Sequence, residues 1–315
     1  MRITISLSTH RLETLSRSAG LWKDHEVIIL EEPPSQEFRD MLAGRFAIDD
    51  YIALLDHEYP LFAQSQYQLL RGRAAMGAVI LQSEPFIQGL LGIHEFFAAG
   101  NGPADITAGT IEHRIYKAEH EATRCLIDYY QAAAENDFQT LITTLLAFVR
   151  TDCARFRLRD ELRAEEIISL LQPGKSTFVE AGGMHLLLPR YLEANLPDGW
   201  EMSVHSIEQE LLDTLGLGWD GFSPGDELTA RYFDRVQPNR EAETLLAAQA
   251  IVFTKVITKG EVDEPADTIP HLSHEYRANR LVRSLDVAQC RDIYEQITLL
   301  PSSEAFAHAV AMSAK

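Results

Sequence analysis

Two histidines and a pair of glutamates come directly after short apolar segments of this sequence. His10 follows ITISL, Glu31 and Glu32 follow EVIIL, and His185 follows STFVEA and two glycines. Two imidazoles and one carboxylate are a familiar ligand set for zinc, with a fourth position left open. A metal held in this way lowers the pKa of its bound water and polarises a carbonyl group. The residues therefore predict a site for a divalent ion (zinc, manganese or similar) formed by His10, Glu31 and His185.

The most specific local feature is the pair Gly182-Gly183, which leads from an apolar segment to His185. Glycines let a backbone turn sharply and approach a ligand closely. Open α/β sheets bind their ligands beyond the carboxyl ends of the strands. We therefore predict that Gly182 and Gly183 help to bind a ligand or cofactor, and that His185 takes part in catalysis.

Several of these residues also have a purely structural interpretation. His10 could cap the helix that follows it, and this is as well supported as a ligand role. Glu31 and Glu32 could lie in a solvated turn. Glu84 precedes Pro85, where a structural role is more common, but it remains a candidate for ligand binding.

Charged helical stretches supply two further candidates. Glu112, Tyr116 and Glu119 share one helical face, and most such charge runs are solvated, but Glu119 is kept as a cofactor-binding candidate. Arg155 and Arg159 belong to a second charged stretch, which could be an exposed face joined by surface ion pairs of little stabilising value. Arg159 is nevertheless a candidate for stabilising negative charge or binding a substrate carboxylate.

Apolar periodicity indicates the elements that would position these side chains. Strands are expected at 3–7, 26–30, 78–81, 176–181 and 201–205, separated by helical patterns that include 48–73 and 138–171. This order predicts an α/β fold with a mainly parallel sheet flanked by helices. The expected organisation is an α/β domain over 1–237, with a helical insertion at about 45–150, and a helical extension over 238–315.

Composition and charge exclude some classes of partner. The 315-residue chain has a formal net charge of −19, which opposes binding to nucleic acid or to an anionic membrane. Its three cysteines are far apart and form no CxxC pair, which favours a reducing compartment. A cytoplasmic protein that acts on a small molecule or peptide is expected. Helical stripes leave open whether the chain forms a homodimer.

Four short motifs together resemble the TraB/Tiki/ChaN/erythromycin-esterase superfamily over about residues 1–210. They are Leu7-Ser8-Thr9-His10, Ile28-Ile29-Leu30-Glu31, Arg159-Asp160 with Arg163-Ala164, and Gly182-Gly183-Met184-His185. Leu7 stands where the superfamily usually has glycine. The resemblance implies an α/β fold in which two related halves place their histidines and acids around one cleft.

The resemblance also implies three kinds of chemistry. They are metal-dependent peptide hydrolysis in the Tiki branch, lactone ester hydrolysis through histidine and glutamate in the esterase branch, and haem binding in the ChaN branch. Our first hypothesis is a hydrolase with Glu32 as general base, because burial beside other acids raises a carboxyl pKa. The alternatives are a haem or small-ligand binding protein without turnover, and an interaction module whose acidic helical tail engages a protein.

Overall fold

A five-stranded, wholly parallel sheet organises the chain, so the predicted α/β fold is confirmed. The computed structural model describes residues 1–55, 57–135, 137–237, 239–262 and 268–313. The strands are β1 (Arg2–Ser8), β2 (Val27–Leu30), β3 (Val79–Gln82), β4 (Thr177–Gly182) and β5 (Glu201–Ser206), in the spatial order β3-β2-β4-β1-β5. Each strand overlaps a segment that the apolar pattern predicts.

Helices account for most of the remaining described residues. They are α1 (Leu12–Trp22), α2 (Gln36–Leu42), α3 (Ile48–Leu55), α4 (Pro60–Ala75), α5 (Pro85–Ala98), α6 (Ile111–Glu135), α7 (Phe138–Leu170), α8 (Leu188–Asn195), α9 (Ile207–Thr214), α10 (Pro224–Phe233), α11 (Arg240–Val256), α12 (Pro270–Arg283), α13 (Val287–Ile297) and α14 (Ser302–Ser313). Among the described helices, none has both the length and the apolar character needed to cross a bilayer.

The helices depart from the predicted pattern at two places in the chain. The single helical stretch expected over 48–73 is divided, because α3 ends at Leu55 and α4 begins at Pro60. Proline is favoured at the first position of a helix, where its missing N–H has no helical partner. Helix α9 was not predicted, although Glu208 and Glu210 in its first turn are the acidic residues that a helix N-terminus favours.

The chain divides into two compact units. The first comprises Met1–His113, Leu158–Leu217 and Gly260–Glu264 and contains the sheet, and the second comprises Arg114–Arg157, Gly218–Lys259 and Pro265–Lys315. The second unit thus joins part of the expected insertion to the C-terminal helices, rather than beginning at residue 238. Contacts of α7 with later helices account for this, since Arg150 pairs with Glu243 of α11 at 2.8 Å and the Phe138 ring lies 5.5 Å from that of Tyr294 on α13.

The sheet has a separate apolar cluster on each face. On one face, Leu15 and Trp22 of α1 pack with Ile28 and Leu30 of β2 and with residues of α4. On the other face, apolar residues of β1, β4, α7 and α8 pack together, among them Ile5. Successive residues of a strand point to opposite faces, so the chain's alternation decides which cluster each side chain joins. For this reason the three central strands, β2, β4 and β1, are buried on both sides.

Candidate functional site

The carboxyl ends of β1 and β4 meet at a point where the chain leaves in two directions. The strands are neighbours, with Ser8 opposite Gly182. From β1 the chain passes through α1 to β2, and from β4 it passes through α8 to β5 on the other side of β1. Helices α1 and α8 belong to the clusters on opposite faces. Such a switch point leaves a crevice beyond the strand ends, which is where open α/β sheets bind ligands.

The adjacent residues Glu31 and Glu32 point to opposite sides of this edge. They follow β2 directly, so the alternation of the strand continues into them. Glu31 lies among residues of α7, whereas Glu32 accepts hydrogen bonds from Tyr67 of α4 and from Gln82. The edge therefore contains two groups of polar side chains, one on each face of the sheet.

We call the first group the ion-pair network. It contains three carboxylates and three cationic groups: Glu31, Glu84, Asp160, Arg159, Arg163 and His185. The Arg159 Nη2 donates to Glu31 Oε1 at 2.8 Å, and its Nε donates to Glu84 Oε1 at 3.1 Å. The Arg163 Nη1 lies 3.3 Å from Glu31 Oε2, and that guanidinium also donates to the backbone carbonyls of Ser83 and Glu180.

His185 is the histidine of the network and has a carboxylate on each side. Its Nε2 bonds Glu31 Oε1 at 2.7 Å, and its Nδ1 bonds Asp160 Oδ1. Burial alone would lower the pKa of His185, but the Glu31 charge and the bond to Asp160 raise it to about 9. Burial alone would likewise raise the pKa of Glu31, but the charges of His185 and Arg163 hold it well below its ordinary value. At neutral pH the network therefore contains an imidazolium between two carboxylates.

Gly182, the last residue of β4, lies directly against this arrangement. A Cβ on Gly182 would lie 3.4 Å from His185 Cδ2 and 3.5 Å from Glu31 Oε2. The Gly182 N–H also donates to Glu31 Oε2 at 2.6 Å. Gly182 thus supplies a backbone hydrogen bond to the network, and its own position leaves room for a small side chain.

We call the second group the His10 pocket, and it consists of His10, Glu32, Glu180, Gln66, Tyr67 and Gln82. Tyr67 Oη donates to Glu32 Oε1 at 2.6 Å, and Gln82 Nε2 donates to Glu32 Oε2 at 2.7 Å. Burial raises the pKa of Glu32, and the nearby Glu180 charge adds to the rise, while the two hydrogen bonds oppose it. Glu180 accepts a bond from Gln66. The hydrogen bonds to both carboxylates of the pocket thus come from neutral tyrosine and glutamine side chains, in contrast to those of the network.

His10 reaches the pocket from the loop after β1 in an uncommon backbone conformation. Its φ is +54°, in the left-handed region that side chains other than glycine adopt infrequently. Its Nε2 lies 3.8 Å from Glu180 Oε1, and its ring lies 5.6 Å from that of Phe62. The side chain is 32% exposed, whereas that of Glu180 is 11% exposed. His10 and Glu32, which are both partly exposed, are therefore the members of the pocket that a ligand at the edge can reach.

The structure divides the predicted metal ligands between the two groups. Glu31 and His185 bond each other directly, but His10 faces Glu180 instead. Both ring nitrogens of His185 are already bonded to carboxylates, and Glu31 is held by two guanidinium groups, so this arrangement does not fit a ligand set of His10, Glu31 and His185. Within the described residues no other group of three histidine, cysteine, aspartate or glutamate side chains has a metal-binding geometry. The metal site stays a prediction, and no step below depends on it.

The remaining candidates are distributed as follows. Glu84 is buried in the network against Arg159. Gly183 lies beside the loop after β1, where a Cβ added to the glycine would lie 3.8 Å from Thr9 Cγ2. Glu119 belongs to the second unit, where it pairs with Arg155 at 3.1 Å. That pair is the helical surface contact which the structural interpretation of both residues anticipates.

Sequence reasoning missed several members of the site. Glu180 lies inside an apolar strand, and a charged residue in such a strand is a signal, because burying a charge is costly without a purpose. Tyr67 and Gln66 lie on α4 and are ordinary helical residues in the sequence. Asp160 is named by the resemblance, but its bond to His185 is visible only in three dimensions.

Comparison with known proteins adds one relative and no family. The chain is 26% identical over 285 residues to an uncharacterised protein of Archaeoglobus fulgidus, a match that covers 90% of this chain and 94% of the relative. No family model matches the chain. No solved structure matches it.

Proposed function

We propose that this chain is a hydrolase that cleaves an ester or peptide bond at the carboxyl edge of the sheet, using glutamate and histidine as acid and base. The observation that carries the proposal is the His10 pocket, where Glu32, a carboxyl group whose pKa is raised by burial, shares the strand edge with the partly exposed His10. A carboxyl group with a raised pKa near a histidine is a candidate acid–base pair. The superfamily resemblance of the four motifs points to the same reaction class.

In the proposed reaction, Glu32 accepts a proton from a water molecule while the water oxygen attacks the carbonyl carbon of the substrate. A raised pKa suits a carboxylate to this task at near-neutral pH. The protonated His10 gives its proton to the leaving oxygen or nitrogen as the bond to the carbonyl carbon breaks. Glu180 Oε1 lies 3.8 Å from His10 Nε2. Solvent then returns the proton from Glu32 to His10.

Arg159 is the residue of the ion-pair network that we assign to the substrate. Its side chain is 22% exposed, whereas those of Arg163 and Glu84 are almost fully buried. A guanidinium in that position can stabilise the negative charge that develops on the carbonyl oxygen or bind a substrate carboxylate. The rest of the network holds Arg159 in place.

The proposed setting is the cytoplasm, where the three buried, free cysteines would stay reduced. Haem binding, a protein partner for the helical tail, and a homodimer stay predictions for which the geometry gives no specific support. The chemistry assigned to Glu32 and His10 uses neither haem nor a second chain.

The test is turnover by the purified full-length chain on p-nitrophenyl acetate, δ-valerolactone and a quenched fluorescent peptide, each with EDTA, Zn²⁺ or Mn²⁺. The variants are Glu32→Gln and His10→Ala, with Glu37→Gln on the exposed surface of α2 as the matched control. Loss of a positioned acid or base lowers kcat by about a hundredfold or more. Two results would rule out the proposed reaction. One is hydrolysis that persists in both pocket variants, and the other is no hydrolysis of any of the three probes by the unchanged chain.

A further inference from the structure

The loop that carries His10 is held from a distant part of the chain. Glu208, in the first turn of α9, accepts a hydrogen bond from the Thr9 backbone N–H at 2.6 Å. The same oxygen, Oε1, accepts a second bond from Thr9 Oγ1 at 2.8 Å. Glu208 is buried whereas Thr9 is exposed, so both bonds are partly shielded from water. A carboxylate that accepts two short bonds makes a strong anchor for the residue next to His10.

A second set of bonds holds the loop on the side of α1. The His10 backbone N–H donates to Ser8 Oγ at 3.3 Å, and Ser8 Oγ donates to Thr14 Oγ1 at 2.9 Å. Thr14 Oγ1 in turn donates to the Arg11 carbonyl at 2.8 Å. These bonds lie within the loop and α1, whereas the Glu208 anchor comes from the element after β5. The two sets fix the backbone on both sides of the left-handed residue.

The left-handed conformation of His10 requires such support. A residue other than glycine in this region is strained, and it persists only where the surroundings hold it. An extended backbone at residue 10 would direct the ring away from its present position between Glu180 and Phe62. The fixed φ of +54° therefore determines whether the imidazole meets the pocket.

We infer that Glu208 is a positioning residue for catalysis, which acts through Thr9 to hold the His10 imidazole beside Glu180. This inference rests on the proposed function in one respect, namely that His10 transfers a proton. Glu208 itself does not touch the substrate. Its role is to keep a strained loop in the single conformation that places the ring, because misplacement by about 1 Å costs on the order of a hundredfold in rate.

The test compares Glu208→Ala with Glu208→Gln in the full-length chain. Alanine removes both bonds to Thr9, whereas glutamine keeps an acceptor oxygen at the same length. We expect Glu208→Ala to lower kcat by about tenfold to a hundredfold with KM little changed, and Glu208→Gln to recover most of the loss. Glu210→Gln is the control, because Glu210 lies on the same helix but pairs with Arg17 and His205. Thr9→Val, which keeps the backbone bond, should have an intermediate effect, and Thr9→Ser should have almost none.

A second readout separates this inference from the hydrolase proposal. The His10 ring resonances in a ¹H–¹⁵N spectrum, assigned with His10→Asn, report the position of the imidazole at one fixed pH whether or not a substrate is known. They should move in Glu208→Ala and return in Glu208→Gln, and the Glu210→Gln spectrum should match that of the unchanged chain. His10 resonances that stay in place in Glu208→Ala and Thr9→Val would overturn the positioning role. Absence of turnover, with the expected spectral shift, would overturn the hydrolase proposal alone.

Discussion

The ion-pair network and the His10 pocket lie at the same edge of one sheet, yet they shift the pKa of a glutamate in opposite directions. In the network each carboxylate meets a cation, and the pKa of Glu31 is lowered. In the pocket the partners of the carboxylates are phenol and amide groups, and the pKa of Glu32 is raised. Two adjacent residues thus differ because the strand alternation directs them to opposite faces.

This difference separates a stabilising role from a chemical one. A buried carboxylate with matched cations and several hydrogen bonds is rigid and remains ionised, which suits it to hold loops and helices together. A carboxylate with neutral partners can exchange a proton near neutral pH, which suits it to acid-base chemistry. Under the proposed function, proton transfer therefore belongs to Glu32 and His10, and the structural roles belong to Glu31, Asp160, Arg163 and His185.

The largest expected effect on stability comes from breaking the network. Arg163→Ala should lower the free energy of unfolding by about 3–5 kcal/mol, because it leaves buried carboxylates without their cation. Urea denaturation measures this change. His10→Ala is the matched comparison in the pocket and should change the stability by less than about 1 kcal/mol. Equal losses in the two variants would remove the distinction between the regions.

Exchanging each of the adjacent carboxylates, Glu31 and Glu32, for its amide tests the distinction between network and pocket at two neighbouring residues. Glu31→Gln should destabilise the fold by about 2–4 kcal/mol, since it removes the charge between His185 and Arg163. Glu32→Gln should leave the free energy of unfolding unchanged or slightly higher, since it removes a buried charge with neutral partners. Paired urea melts at pH 7 measure both. Greater destabilisation by Glu32→Gln would reverse the assignment.

The pH dependence of stability should report His185. Its pKa is about 9 in the folded chain and about 6.5 when unfolded. A raised folded pKa means that its stabilising contribution is complete below about pH 6.5 and is lost as the pH rises toward 9, by on the order of 3 kcal/mol. Urea melts from pH 6 to pH 9.5 measure the decline. In His185→Gln, which cannot titrate, the decline over this interval should be much smaller.

The smallest expected effect concerns the left-handed residue of the pocket. His10→Gly should be more stable than His10→Ala by about 1 kcal/mol, because glycine adopts a φ of +54° without strain. Both variants should lack the acid needed for turnover. Thermal unfolding of the two side by side measures the strain. Identical midpoints would mean that residue 10 leaves the left-handed region in the variants or carries little strain there.

The sequence was sufficient to predict the sheet and the edge at which the polar residues gather. Apolar periodicity located all five strands, since each is a short run flanked by turn residues. It also placed Glu31, Glu32 and His185 after strand ends. Because β1 ends at Ser8 and its neighbour β4 begins only at Thr177, local pattern could not show that β4 lies between β1 and β2.

The partners within the site were beyond the reach of the sequence for a similar reason. His10 and His185 were expected to share one ligand set, but their orientation depends on a positive φ at His10 and on the place of Asp160 on α7. Neither is a property of local pattern. The alternation that separates Glu31 from Glu32 was readable, since consecutive residues after a strand face opposite sides. The cationic partners of Glu31 on α7 and the neutral partner of Glu32 on α4 could not be read from the sequence.

The most direct measurement is a ¹³C NMR titration of the side-chain carboxyl groups of Glu31 and Glu32, assigned with Glu31→Gln and Glu32→Gln. We expect Glu31 to stay ionised well below pH 4.5, whereas Glu32 should take up its proton above that value. Titration of both groups together near their ordinary value, or in the reverse order, would contradict it.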